Sequence, residues 1–206
     1  MKRKALIRIY MLTLCMVLII TGCAKNSKNN IEYEKNFEQM ISDRFTVAEE
    51  VYSWFTGYGE IEMDHDDKIE FELEYHVGYY ARVIQNDIST MEELSDYLHQ
   101  YFEDSLCNEL LNYSVEKDLP LFKEYDGVLY CFAGYVGLLS YDDGDKVISI
   151  DDSKQEDSIT VHVHYTVTIF EELRELDLYY TIEKGDDGIW RFDSNFVLPI
   201  EAAANL

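Results

Sequence analysis

The stretch SITVHVHYTVTI, residues 158–169, alternates strictly between apolar and polar side chains. Ile159, Val161, Val163, Tyr165, Val167 and Ile169 fall on one side; Thr160, His162, His164, Thr166 and Thr168 fall on the other. Successive side chains of a strand point to opposite faces, so a period of two predicts a long strand with one buried and one solvated face. Leu176, Leu178, Tyr180 and Ile182 repeat the pattern, Gly185-Asp186-Asp187-Gly188 turns the chain, and Trp190, Phe192 and Phe196 complete an antiparallel meander. Trp190, in phase with Phe192, is expected inside, between helix and sheet.

Upstream the period changes. Between Phe37 and Tyr58 the apolar residues Met40, Ile41, Val47, Ala48, Val51, Tyr52, Trp54 and Phe55 recur mostly at spacings of three and four, which predicts one amphipathic helix ending near Gly57 or Gly59. Ile69, Phe71, Leu73 and Tyr75 alternate with Glu70, Glu72, Glu74 and His76, a strand with an acidic face. Thr90-Met91-Glu92-Glu93 is a capping box opening a helix from Met91 to about Phe102. A third helical segment is expected from Asp104 to Asn112. Leu121–Tyr125 and Val128–Phe132 flank Asp126-Gly127, a hairpin signal. Helices first and a meander last give an α+β domain, N-terminal helices packed on a curved antiparallel sheet, with the element order of cystatin-like and NTF2-like folds. The single domain is placed at residues 35–198, with 199–206 as a C-terminal tail.

The first thirty residues have a different character. Lys2, Arg3, Lys4 and Arg8 precede an apolar run from Ile9 to Ile20, and no acid occurs before Glu32. Twelve helical residues rise roughly 18 Å, short of the roughly 30 Å hydrocarbon core, so a secretory signal fits better than a spanning anchor. The exit Ile20-Thr21-Gly22-Cys23 resembles the lipobox of bacterial lipoproteins, in which the cysteine takes diacylglycerol. The expected division is therefore a signal peptide at residues 1–22 and, at 23–34, lipidated Cys23 with a flexible polar tether. Two or more acyl chains hold such a protein firmly, at about 0.8 kcal/mol per buried methylene. The expected location is extracytoplasmic, anchored to the cell membrane by lipid.

Removing residues 1–22 leaves 13 Lys and Arg against 41 Asp and Glu, a formal charge of -28. Such a surface repels phosphate backbones and anionic headgroups, so nucleic acid is not expected as a partner. A basic protein, a cationic polymer or divalent cations would be attracted; acidity also keeps an envelope protein soluble. Cys107 and Cys131 remain after processing, either as a disulfide or as two buried small hydrophobes.

Catalytic signatures are absent: there is no GxSxG, HExxH, P-loop or CxxC. The chain is expected not to be an enzyme, and no cofactor and no metal are assigned. His162-x-His164 puts two imidazoles on one strand face, which suits either a metal with a third ligand from a neighbouring strand or a solvated pair. Asp64-His65-Asp66-Asp67 and Asp142-Asp143-Gly144-Asp145 are acid-dense stretches without EF-hand spacing, read as solvated turns. The Glu70, Glu72 and Glu74 stripe is either a solvated face or a surface for a basic partner.

One family likeness spans about residues 45–198. Trp54-Phe55, Tyr79-Tyr80-Ala81-Arg82-Val83, Ser89-Thr90-Met91-Glu92-Glu93-Leu94, Tyr125-Asp126-Gly127-Val128-Leu129-Tyr130 and the terminal Gly188-Ile189-Trp190-Arg191-Phe192 occur in order. This resembles the IseA family of inhibitors of cell-wall DL-endopeptidases. The resemblance implies a cystatin-like fold that docks on NlpC/P60 peptidoglycan hydrolases, which use a Cys-His pair, and plugs their groove with a glycine-bearing polar loop. That loop would here be Ala133 to Gly137, with Gly134, Tyr135, Val136 and Gly137 joined by the nearby acids Asp142, Asp143 and Asp145 as the partner-binding residues. It contains no acid of its own. The alternative is a lipoprotein that binds a small molecule or peptide in an NTF2-like pocket lined by tyrosines.

Overall fold

A computed structural model describes residues 35–72, 77–134, 141–151, 157–169 and 172–204. Cys23 with its signal and tether, Glu74 of the acidic stripe, and Tyr135, Val136 and Gly137 lie outside the described residues. Chain contacts divide into two units, residues 1–43 and 44–206. In the first, residues 35–43 are helical, and Gln39 Nε2 donates to Asp43 Oδ1 at 2.7 Å, one turn on.

The second unit is α+β. Helix α1 (residues 35–56) enters it and stops one residue before Gly57, where the sequence predicts an end. Strands β1 (Met63–Glu72) and β2 (Val77–Val83) follow, then helices α2 (Met91–Leu98) and α3 (Asp104–Leu111). A two-stranded ribbon, β3 (Ser114–Glu116) and β4 (Leu119–Pro120), leads into the hairpin β5 (Phe122–Tyr125) and β6 (Val128–Phe132). The long strands β7 (Tyr141–Ile150), β8 (Ser158–Ile169) and β9 (Glu172–Lys184) precede short β10 (Trp190–Phe192) and helix α4 (Pro199–Ala204). Among the described residues the strands form two four-stranded sheets, β1-β2-β6-β5 and β10-β9-β8-β7, where the sequence suggests one curved sheet.

The opening stretch behaves as its alternation requires. Ile159, Val161, Val163, Tyr165 and Val167 are buried, and β8 pairs with β9 from Ser158↔Glu183 to Ile169↔Glu172 without a break. Phe45, Phe55 and Ala48 on α1 are likewise buried. Phe45 meets Tyr180, Phe192 and Phe196 at centroid distances of 4.9, 5.6 and 5.7 Å, while Phe55 meets Phe122 of the first sheet at 5.1 Å. One helix thus backs both sheets, burying large aromatic area at each. Inside this core Tyr165 donates to Glu49 Oε1 at 2.6 Å, and Lys146 pairs with the other carboxylate oxygen. Glu49 is half-buried, and a carboxylate so placed is tolerated when it is hydrogen-bonded and paired in this way.

Local signals fare well. Thr90 Oγ1 accepts from Glu93 N at 3.1 Å while Glu93 Oε2 accepts from Thr90 N at 3.1 Å, a complete capping box. Asp126 and Gly127 both have positive φ, 50° and 78°, as a two-residue hairpin turn of primed type demands.

Four expectations need correction. Helix α2 ends at Leu98, not near Phe102, because Tyr101 O accepts from Phe192 N at 2.8 Å and Glu103 N donates to Phe192 O at 3.0 Å; the chain is drawn into pairing with β10. The acid-dense stretches are strand, not turn. Asp64 pairs with Arg82 and Lys68 already with Ala81, so residues 65–67 bulge out of β1. In β7, Asp142 pairs with Thr168 and Asp145 with Thr166, a one-residue bulge. Trp190 is half-buried although Phe192 is fully buried, because it stands at the turn end of a short edge strand, opposite Lys184. Pro199–Ala204, expected in the tail, form α4, which buries Ile200. Cys107 and Cys131 are free and buried, so of the two readings the small-hydrophobe one holds.

Candidate functional site

The sequence-predicted site residues do not converge on one described feature. Gly134 is exposed in the turn after β6 of the first sheet. Asp142, Asp143 and Asp145 belong to β7 of the second, with Asp145 exposed. On the acidic strand, Glu70 is exposed and paired with Lys68 at 2.8 Å, and Glu72 is exposed.

A concave feature lies on the outer face of the first sheet. Register places Ile69 opposite Tyr80, Tyr80 opposite Phe132, Arg82 opposite Tyr130 and Lys123 opposite Tyr130. Cross-strand partners share a face, so Ile69, Phe71, Tyr80, Tyr130, Lys123 and Tyr125 stand on the same side. The opposite side carries the core residues Ala81, Leu129, Cys131 and Phe122. Over the aromatic side folds the β3–β4 ribbon, leaving a hollow of about 510 Å³ lined by those six side chains together with Asp118, Leu119 and Pro120. That size falls in the roughly 300–1,000 Å³ span of small-ligand sites.

The hollow is held open by specific contacts. Tyr80 donates its hydroxyl to Pro120 O at 2.7 Å, tying the ribbon to the sheet. Burial pushes the Tyr80 phenol up to about 12, so it stays a neutral donor. Tyr130 donates to Asp67 Oδ1 at 3.2 Å, and Arg82 stands 3.6 Å from the other Asp67 oxygen. The wide bulge of β1 therefore has a use: it brings Asp67 over the sheet to meet both groups. Tyr125, at 52% exposure, leaves its ring free for a ligand. Lys123 Nζ lies 5.9 Å from the Tyr80 ring centroid, within cation–π range.

The histidine pair has found a partner from the neighbouring strand. His162 Nε2 and His164 Nδ1 lie 2.7 and 3.0 Å from one oxygen, Asp177 Oδ1, on β9. Tyr179 stacks on His162 at 4.7 Å and Ser149 Oγ stands 3.3 Å from its Nδ1. Hydrogen bonds from His164 and His162 hold the Asp177 carboxyl below the usual carboxylate range. Among the described residues no group of three or more His, Cys, Asp and Glu is arranged to hold a metal ion. The trio is a hydrogen-bonded cluster on a solvated face.

Sequence reasoning missed Asp118, Lys123 and Tyr125. The signal was there in part: Lys123 and Tyr125 alternate in phase along β5, as Tyr80 and Arg82 do along β2. What brings them under one roof is the ribbon, which no periodicity announces. Among the described residues no helix is long and apolar enough to cross a membrane. No protein-family model matches the chain, and the comparison with curated proteins found no match.

Proposed function

We propose that this chain is a non-enzymatic extracytoplasmic binding protein, exported, lipidated on Cys23, and tethered so that its domain meets a small molecule or peptide at the cell envelope. The carrying observation is the tyrosine-walled hollow of about 510 Å³ under the β3–β4 ribbon, preformed by the Tyr80–Pro120 hydrogen bond. A preformed site avoids part of the ordering cost of binding. The lipobox and the missing catalytic signatures support the tether and the lack of catalysis. The helix-first, meander-last order supports an NTF2-like or cystatin-like fold.

The second reading, inhibition of an NlpC/P60-type cell-wall hydrolase, rests on the IseA-like sequence order and on a specific surface. On the outer face of the second sheet Leu173 and Tyr179 are 71% and 66% exposed, interleaved with the exposed acids Glu175 and Asp177. An exposed aromatic ringed by charge is the composition of a protein contact.

One screen separates the two. Small molecules and short peptides are added to the purified chain, and thermal unfolding is followed; a true ligand raises the midpoint by mass action. Binders whose effect disappears in Tyr125→Ala support the first reading. If no such binder emerges, and a captured NlpC/P60 hydrolase is inhibited by wild type and released by Tyr179→Ala or Tyr135→Ala, the second reading replaces it.

A further inference from the structure

We infer that the hollow is selective for a zwitterionic ligand of the peptide class, its carboxylate received by Lys123, its ammonium by Asp118, and its side chain laid against Tyr125. The inference rests on the reading of the hollow as the ligand site and adds what that ligand is.

The charges carry the argument. Acids outnumber Lys and Arg by 41 to 17 along the chain, and basic side chains commonly find one. Lys68, Arg82, Lys146, Arg174 and Arg191 each hold a carboxylate. Lys123 pairs with no carboxylate among the described residues, although it lines a concave surface with Asp118. Asp118 in turn holds no cation and receives no hydrogen bond among the described residues, and it sits at the tip of the β3–β4 ribbon with φ of 66°. The two do not bridge to each other. A hollow thus presents one positive and one negative group, both exposed and both open to a visitor.

The field of the whole chain narrows the choice. With a strongly negative surface, a net anion would approach Lys123 against repulsion from the rest of the molecule. A simple cation could satisfy Asp118 but would leave the Lys123 ammonium facing its own charge. A zwitterion carries no net charge, satisfies both groups at once, and makes two charge-assisted hydrogen bonds, the strong kind. The same hollow is lined by Ile69, Phe71, Leu119 and Pro120, which offer apolar surface to a side chain, with Tyr125 exposed as a rigid flank. Free amino acids and short peptides with both ends unblocked have this layout.

The test uses isothermal titration of the full chain in detergent with free-ended di-, tri- and tetrapeptides that each contain one Phe. The same peptides carry an acetylated amino end, an amidated carboxyl end, or both. The expected result is binding of free-ended peptides, weakened at least about tenfold by blocking either end, a step of about 1.4 kcal/mol. Lys123→Gln should then bind free and amidated peptides alike, and Asp118→Asn should bind free and acetylated peptides alike. Both residues are exposed, so thermal melting should find both variants as stable as wild type. Doubly blocked peptides bound as tightly as free ones, with binding lost in Tyr125→Ala, would overturn the zwitterion and leave the hollow as a ligand site. Tight binding that ignores Tyr125, Lys123 and Asp118 together, or no binding of any peptide, would also overturn it. In that second case only the absence of any Tyr125-dependent ligand in the broader screen would remove the site itself.

Discussion

Gly144 shows how a single residue fixes a strand. Its φ is +52°, and a Cβ built there would stand 2.0 Å from the Thr166 carbonyl oxygen, so the β7 bulge has no room for a side chain. An L-residue in the left-handed region costs roughly 1–2 kcal/mol before any clash is counted. Gly144→Ala is therefore expected to lower stability by at least about 2 kcal/mol in denaturant unfolding. A loss under about 0.5 kcal/mol would mean that the bulge relaxes freely. Asp187 offers a second test at this scale. Arg191 grips it through two hydrogen bonds of 3.0 and 2.7 Å, and with the Ile189 amide brings its carboxyl down to about 2. A lowered folded-state value means stability that is present above the ordinary carboxylate range and disappears as pH falls through the folded value. The Asp187 contribution should thus vanish between about pH 4 and about pH 2. Melting temperatures of wild type and Asp187→Asn should differ at neutral pH and converge across that window.

Among elements, α1 and β10 carry the contrast that matters most for the core. Phe45 is fully buried and edge-on to Tyr180 and Phe192, with Phe196 tilted against it. Trp190, two residues before buried Phe192, is half-buried, and its carbonyl accepts from Arg44 Nε. Phe45→Ala should cost about 3–5 kcal/mol, the usual range for deleting a buried aromatic ring. Trp190→Ala should cost well under half of that, since a half-exposed ring gives up less transfer energy and leaves no closed cavity. Unfolding midpoints of the two variants check the ranking, and a larger loss for Trp190 would reverse the account of how β10 is packed.

For the whole molecule, the proposed lipid attachment at Cys23 would set where the domain works. Cys23→Ala is expected to abolish acylation and release or misprocess the protein; equal incorporation of labelled palmitate in wild type and variant would end the lipoprotein reading. What the sequence determined by itself is everything that depends on neighbours along the chain. Strict alternation over residues 158–169 made β8, spacings of three and four made α1, Asp126-Gly127 made the hairpin turn, and Thr90 with Glu93 made the capping box. Each is a local choice between two periods or a turn chemistry, and burying the apolar side then follows from hydrophobicity alone. What only the tertiary structure decided needed partners distant in sequence. The division into two sheets, the early end of α2, the bulges that turned acid-dense stretches into strand, and the half-exposure of Trp190 were set by pairing across the fold. The hollow belongs to the same class. Asp118, Lys123 and Tyr80 lie up to forty-odd residues apart, and a ribbon of five strand residues, held by one hydrogen bond to Pro120, brings them round a common space. No periodicity encodes such a meeting, because loop closure and long-range packing, not local propensity, determine which surfaces face each other.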